Sequence, residues 1–367
     1  MLEQCPCWQG NRNEDSNWTF WAERESTFIL KTMFYARYLI SFLPYAIVCF
    51  GNLTGGYWAA GNIVFTLGFL VIVDWIVPEN KQKLTDTDGT FPDAVLCSSV
   101  ALHTLGVASL LYGVYSGILT GKFIWLAAAS TGFAGGQLGI TAAHELIHRE
   151  QHRWMQNLGI WNLFLVNYAH FFTEHRLVHH AKVGTSEDHA TARYGENFYA
   201  FLIRSIPSQW FSALQTDAYR QRKNVRAAYG WYNFTLRTTV AQLVFMGLIF
   251  IALGGAGLAA YVLQSVSAFF LLEYVNYIEH YGLVRNPGEQ VGKQHAWQSD
   301  TLTSRFTLFE LSRHADHHMR ASKPYYTLDS HEVSPTMPAG YFGMFYIALI
   351  PPLFFRVVHR RLPKKLQ

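Results

Sequence analysis

The sequence predicts an all-α integral membrane protein, six transmembrane helices closed on one side by a cytoplasmic helical cap. Three observations carry the prediction. Half of the 367 residues are hydrophobic and only 15% are charged, against ~25% charged in soluble domains. The apolar residues fall into long blocks, several near the ~20 residues that cross a bilayer as a helix. Lys and Arg concentrate on alternate links between those blocks, the asymmetry that sets orientation.

The blocks are about 33–51, 57–77, 93–118, 123–143, 238–254 and 258–278. Arg37 and Pro44 interrupt the first, and the fifth is short. The links near 52–56 and 255–257 carry no Lys or Arg, and the link near 119–122 carries only Lys122. Residues 145–237, by contrast, hold eleven, and the tail Arg360-Arg361-Leu362-Pro363-Lys364-Lys365 is basic again. Six crossings therefore place both termini, the 78–92 link and the 145–237 segment on one side, the cytoplasm. Most of the formal net charge of +4 gathers there, as orientation alone or as a docking surface for an acidic electron carrier. The bilayer is the expected surrounding; no nucleic-acid partner is.

Ahead of the first block, Glu14, Asp15, Glu23 and Glu25 do not read as a cleavable signal peptide, and Trp18, Phe20 and Trp21 suit the headgroup layer. Cys5 and Cys7 are spaced C-x-C, while Cys49 and Cys97 fall inside spans. With no C-x-x-C pair, the chain carries no rubredoxin-type or iron–sulfur site of its own. There is no internal repeat and no low-complexity linker, so residues 1–367 read as a single membrane-embedded domain. The apolar stretches from Trp161 to Phe172 and from Phe198 to Ile206 are too short to cross, and read as buried or interfacial helices of the cap. The run 340–356 is broken at Pro351-Pro352, which argues for an interfacial helix rather than a seventh span.

The chemistry lies in the histidines. Nine of the 16 fall into four groups beside the apolar blocks: His144 and His148; His175, His179 and His180; His280; and His314, His317 and His318. Imidazole is the commonest protein ligand for first-row metals. Nine exceed the shell of one ion, usually four to six ligands, and suit two. The cap is thus expected to carry a histidine-rich di-metal site. His144 and His148 share a helical face at i, i+4. On an α-helix His175 and His179 also share a face, with His180 about 100° away, so one helix can feed two ions. His314, His317 and His318 repeat the i, i+3, i+4 pattern.

Of the remaining histidines, His170, His189 and His295 suit hydrogen bonds to ligands, and His152, His331 and His359 suit the surface. His103, alone within the third span, reads as a packed neutral side chain or a functional intramembrane group. The neighbouring carboxylates Glu145, Glu174, Asp188, Glu279 and Asp316 are expected to orient imidazoles rather than bind metal. Only Glu145–His148 has the Glu-x-x-His spacing that carboxylate-rich di-iron bundles use twice.

The motifs His-Glu-Leu-Ile-His-Arg at 144–149, Glu-His-Arg-Leu-Val-His-His at 174–180, Asn-Tyr-Ile-Glu-His-Tyr-Gly-Leu at 276–283 and Leu-Ser-Arg-His-Ala-Asp-His-His at 311–318 resemble the membrane alkane 1-monooxygenases. That family is related more distantly to xylene monooxygenase and membrane fatty-acyl desaturases, and the likeness runs over roughly residues 30–355. The Asn-Tyr-x-Glu-His-Tyr-Gly box is its most specific part. Val178, His189, Glu310, Ser312 and Ala315 depart from the usual pattern, but none replaces one of the nine histidines. The resemblance implies two iron ions on those histidines, O2 as co-substrate, and hydroxylation of a terminal methyl group of an alkane or similar hydrophobic substrate. It also implies electrons from rubredoxin and an NAD(P)H-dependent rubredoxin reductase, in the inner membrane of a bacterium.

Trp58, Thr66, Gln137 and Thr141 are candidates to line the substrate pocket, and Gly135-Gly136 suits close helix packing or room for a chain. A xylene- or terpene-type methyl hydroxylase and a lipid desaturase are the nearest alternatives. An intramembrane zinc protease would use His144, Glu145 and His148 but leave the other seven clustered histidines idle. A metal transporter would place polar residues at mid-membrane depth, whereas these clusters gather at one face.

Overall fold

The computed structural model describes residues 35–83, 89–286 and 288–363, and these are helical apart from loops and two isolated β-bridges. The N-terminal segment with Trp18, Phe20 and Trp21, the Cys5–Cys7 pair, and Lys364 and Lys365 lie outside the described residues. Four membrane-length helices come first: α1 (Ala36–Thr54), α2 (Gly56–Ile76), α3 (Thr90–Tyr115) and α4 (Lys122–Ile147). Buried amides tie them together, as polar groups in a bilayer must be satisfied within the protein. Asn52 Nδ2 donates to Ser109 Oγ at 3.0 Å and Thr131 Oγ1 at 3.1 Å, joining α1, α3 and α4. Asn62 Nδ2 donates to the Ser130 carbonyl at 3.0 Å, joining α2 to α4.

The cap follows. Helix α5 is Arg153–Leu165. Helix α6 is a composite of Phe171–Glu174, a π-turn His175–His179 and His180–Lys182. Helix α7, Phe198–Lys223, starts where the Asn197 side chain accepts the Ala200 N–H, and buries a stripe of Phe198, Phe201, Ser205, Gln209, Ala213 and Asp217. The stretch at 198–206 thus forms a helix, while that at 161–172 is split between the end of α5 and the start of α6 by turns at 166–170.

Helix α8, Phe234–His280, holds the fifth and sixth predicted blocks in one 47-residue stretch, so the described residues form five helices of membrane-spanning length and apolarity where the sequence predicts six. The stretch is not straight. Gly254 sits at φ 66°, ψ −166°, a region open essentially to glycine alone. The Phe245 and Tyr261 rings lie 5.5 Å apart, although such a separation in sequence would span ~24 Å along a straight helix. Both ends of α8 also approach α6. The Thr235 N–H and the Thr173 hydroxyl share Asp217 Oδ2 at 2.9 and 3.1 Å, while the His280 ring lies 4.8 Å from that of His179. The chain therefore doubles back at Gly254 into two antiparallel limbs.

Helix α4 lies against the second limb with almost no side chain between them. A Cβ at Gly132 would come within 2.3 Å of the Gln264 carbonyl oxygen, and one at Gly136 within 2.8 Å of that of Ala268. Of the two readings of the Gly135-Gly136 pair, close packing accounts for Gly136. His103 is fully buried, its ring seated where a Cβ of Gly139 would be; it is a packed side chain, apart from the other clusters.

The last third contributes α9 (Leu302–Thr307), α10 (His314–Met319), α11 (Met344–Leu349) and α12 (Pro351–Val358). The break between α11 and α12 falls at Ile350, directly before Pro351-Pro352, as the sequence predicts, and neither is long enough to span. Asp74 near the end of α2 docks this segment by accepting from the Thr301 hydroxyl at 2.8 Å and the Gly343 N–H at 2.9 Å. Glu310, a departure from the usual family pattern, is buried between Arg305 (2.6 and 2.8 Å) and the Tyr38 hydroxyl (2.8 Å), fastening the cap to α1.

Candidate metal centre

The folding of α4, α6, α8 and α10 onto one point brings the nine histidines into two groups. One holds His144, His148, His175, His180 and His317; the other holds His179, His280, His314 and His318. Within each group one ligand-capable atom per residue lies within 4.8 Å of all the others.

The partition follows from local helix geometry. In α6 the His180 N–H bonds to the His175 carbonyl, an i→i+5 π-turn, and such turns bring residues five apart over one another. His175 therefore pairs with His180 at 3.0 Å between Nε2 atoms, not with His179 as a plain α-helix would have it. His179 is left facing His318 at 3.2 Å. Helix α10 keeps the α-helical register: His314 and His318 converge at 2.8 Å, and His317 turns away to meet His180 at 3.2 Å. His148 reaches His175 at 3.1 Å and His280 reaches His314 at 3.1 Å. The His144 ring makes no hydrogen bond among the described residues, and it lies 4.6 Å from that of His175 and 4.3 Å from that of His317.

These separations fit bound metal. Two imidazole nitrogens at ~2.1 Å from one ion, in adjacent positions near 90°, stand roughly 3.0 Å apart. Mutually facing Nε2 atoms at 2.8–3.2 Å cannot all be satisfied by hydrogen bonds, because each nitrogen carries at most one proton. Burial first, and the neighbouring imidazoles second, hold His175, His180, His314, His317 and His318 well below the ordinary histidine pKa. The rings are neutral, with lone pairs free for a cation.

The expected orienting residues divide. Asp188 Oδ2 lies 2.9 Å from His179 Nδ1, the nitrogen turned away from the group, and accepts the Thr191 hydroxyl at 2.6 Å. Burial alone would raise this carboxyl, but His179 and Thr191 outweigh it and hold it down at about 2. Glu279 accepts the Tyr341 hydroxyl at 2.6 Å, and its Oε2 stands 3.2 Å from His314 Nε2, facing the nitrogen-lined space itself. Glu145 lies 3.8 Å from His144 Nδ1 and accepts the Tyr325 N–H at 3.2 Å. His295 touches His280 only through its backbone carbonyl, 3.4 Å from Nδ1.

Three others do not reach the rings. Asp316 is held by Lys323, by His331 at 2.7 Å and by the Asp329 N–H at 2.9 Å. Glu174 has no hydrogen bond to either buried carboxylate oxygen among the described residues, and burial with Asp188 and Glu273 nearby pushes its pKa far up. His170, pulled down to about 3 by burial, packs its ring 4.2 Å from that of Tyr168, and its Nε2 has no hydrogen-bond partner among the described residues.

Two narrow cavities share part of their lining, and the inner one reaches the histidines. One, about 20 Å³, is lined by His144, His175, Glu279 and His314 among others; the next, about 40 Å³, is lined by Thr66, Gln137, Leu271, Phe342 and Phe345. They share Gly136, Thr141 and Val275. Of the candidate pocket residues, Thr66, Gln137 and Thr141 thus line this path. Trp58 does not; it is 64% exposed and lines an outward groove with Phe50 and Val64. A groove of about 440 Å³ between α7 and the two limbs of α8 is roomier, but includes none of the nine histidines.

Sequence reasoning missed Thr191, Tyr325 and Tyr341, which position Asp188, Glu145 and Glu279. A tyrosine 62 positions from its partner leaves no local signal. His331 and His359, read as surface residues, are instead hydrogen-bonded to Asp316 and Tyr281.

The model of the family described as fatty acid desaturase matches residues 121–348. Alkane 1-monooxygenase 2 of Pseudomonas aeruginosa is 34% identical over 320 residues, 82% of each chain. Alkane 1-monooxygenase 2 of Alcanivorax borkumensis is 32% identical over 332 residues, 84% of each. The xylene/toluene monooxygenase hydroxylase component XylM of Pseudomonas putida is 26% identical over 325 residues, 86% of each.

Proposed function

The chain belongs to the alkane 1-monooxygenase family within the fatty acid desaturase superfamily of membrane proteins, and from that membership we propose that it hydroxylates the terminal methyl group of alkanes or similar hydrophobic substrates to primary alcohols. The observation that carries the proposal is the pair of convergent imidazole groups, five and four strong, at the inner end of an apolar cavity. Two irons on His144, His148, His175, His180 and His317, and on His179, His280, His314 and His318, would supply the O2 activation that an unactivated C–H bond demands. The balance is RH + O2 + 2 e⁻ + 2 H⁺ → ROH + H2O.

The chain's own residues do the rest. Asp188 orients His179, while Tyr341 holds the Glu279 carboxylate at the four-histidine group. Phe171, Leu272, Val275 and Leu311 keep the inner cavity apolar, so that substrate rather than water meets the oxidant. An alkane dissolved in the bilayer would pass Leu67, Phe342 and Phe345, then the Gly136–Thr141–Val275 narrowing.

The doubled-back α8 supports six crossings in one membrane-embedded domain, with both limbs of α8 crossing and the histidines on the cytoplasmic side of a bacterial inner membrane. Electrons would come from rubredoxin and an NAD(P)H-dependent rubredoxin reductase. The test is metal analysis of the purified protein by plasma mass spectrometry, with gas chromatography of octane turnover in the presence of both redox proteins. About two irons per chain and 1-octanol are expected. A single zinc and no alcohol after expression in iron-rich medium would sink the reading.

A further inference from the structure

Outside the metal centre, exposed cations flank in sequence a column of packed rings that leads to it. Arg356, Arg360 and Arg361 on and just after α12, and Arg193 on the loop before α7, are exposed and form no ion pair among the described residues. Arg193 directly precedes Tyr194, and the other three lie within three residues of His359; Tyr194, 54% exposed, stacks on His359 with ring centroids 4.4 Å apart and planes 20° apart. His359 in turn stacks on Phe355 at 5.2 Å and lies nearly parallel to Tyr281, with planes 16° apart. The Tyr281 hydroxyl accepts the Gly195 N–H at 2.8 Å and has its proton left for His359 Nε2, also at 2.8 Å. Tyr281 is fully buried and follows His280 directly in the chain.

A continuous path thus leads from an imidazole of the four-histidine group to solvent: one peptide unit, one hydrogen bond and one ring stack. Electron tunnelling falls steeply with distance and is helped by bonded and tightly packed atoms, so an external donor gains most by docking where such a path surfaces. The exposed guanidinium groups beside its end in the chain would attract and orient an acidic face. Positive-inside orientation explains cations on this side of the membrane but not the stacked column they flank in sequence, which ends beside a histidine of the four-histidine group.

We infer that Arg193, Arg356, Arg360 and Arg361 form the docking surface for a small, acidic, one-electron carrier of the rubredoxin type, and that Tyr194 and His359 are the point of electron entry beside it. The inference rests on the oxygenase reading above. Each docking event oxidises the carrier's metal by one electron and reduces the chain's metal centre by one; two events serve each O2.

The test uses the full-length, metal-loaded protein in lipid nanodiscs, with rubredoxin as the probe. The Arg356→Glu/Arg360→Glu/Arg361→Glu variant should weaken equilibrium rubredoxin binding and raise KM for rubredoxin by about tenfold or more at low salt, with a flatter salt dependence. Its kcat at saturating rubredoxin should match wild type. So should its single-turnover yield of 1-octanol after anaerobic reduction with dithionite and mixing with O2. His359→Leu should leave rubredoxin binding unchanged and slow reduction of the metal centre by saturating rubredoxin in stopped flow. Unchanged rubredoxin affinity in the triple variant would overturn the assignment, as would a variant that loses only binding to phosphatidylglycerol vesicles, which would make the patch a lipid-headgroup contact. No single-turnover alcohol from wild type would instead sink the oxygenase reading, while the binding measurement would still decide the docking surface.

Discussion

Asp188 and Glu279 approach the imidazoles from opposite sides, and the difference sets their roles. Asp188 lies behind His179, at the Nδ1 that a metal would not use, and fixes the tautomer that leaves Nε2 free. Asp188→Asn should therefore lower iron affinity roughly 10–100-fold, measured as iron per chain after growth in limiting iron. Glu279, whose Oε2 faces His314 Nε2, is placed to add a carboxylate to the group that has one imidazole fewer. Glu310 acts at a distance from the metals. Removing its carboxylate in Glu310→Ala leaves Arg305 buried without its main partner, a loss of about 3–5 kcal/mol for a broken buried pair. The expected result is a clear fall in melting temperature in detergent with iron content intact.

At the scale of elements, two departures from the plain α-helix do most to shape the site. The π-turn in α6 lets adjacent histidines, His179 and His180, serve different groups while His175 stays with His180. A second π-turn, Gly135–Ile140 in α4, lies one step before Thr141 and His144, where the cavity narrows. Around it, the contact of α4 with α8 depends on glycine. Gly132→Ala would drive a Cβ to within 2.3 Å of the Gln264 carbonyl oxygen, and overpacking of this kind costs typically about 1–3 kcal/mol. The variant should melt earlier and bind less iron, since α4 and α8 carry ligands of both groups. Gly68→Ala, with nothing within 4 Å of its Cβ position, is the matched control and should change neither.

At the scale of the molecule, the metal centre joins the last turns of two long helices to two short cap helices, so membrane topology decides whether it can assemble. If both limbs of α8 cross, Val225 and Gly255 stand on opposite sides of the membrane. In a background without native cysteines, Val225→Cys should be labelled by an impermeant maleimide only after cells are opened, and Gly255→Cys in intact cells. Labelling of both from the same side would refute six crossings. Chelation of the metals should lower the melting temperature, because ions that bind only the folded protein stabilise it by mass action.

The histidine motifs and the apolar blocks pointed to an integral membrane protein, an all-helical architecture and the nine metal-binding candidates, because each is a local pattern of spacing or composition. Other features depend on which segments meet. The division of the histidines into five and four rests on a π-turn and on the register of α10 against α6, neither of which leaves a mark in residue spacing. The doubling back of α8 shows in the sequence only as three link residues, 255–257, between apolar blocks. The partners of Asp188, Glu279 and Glu310, and the column from Tyr281 to Tyr194, join residues far apart in the chain. Sequence fixes what a residue can donate, accept or bury; only tertiary packing decides which distant group it meets.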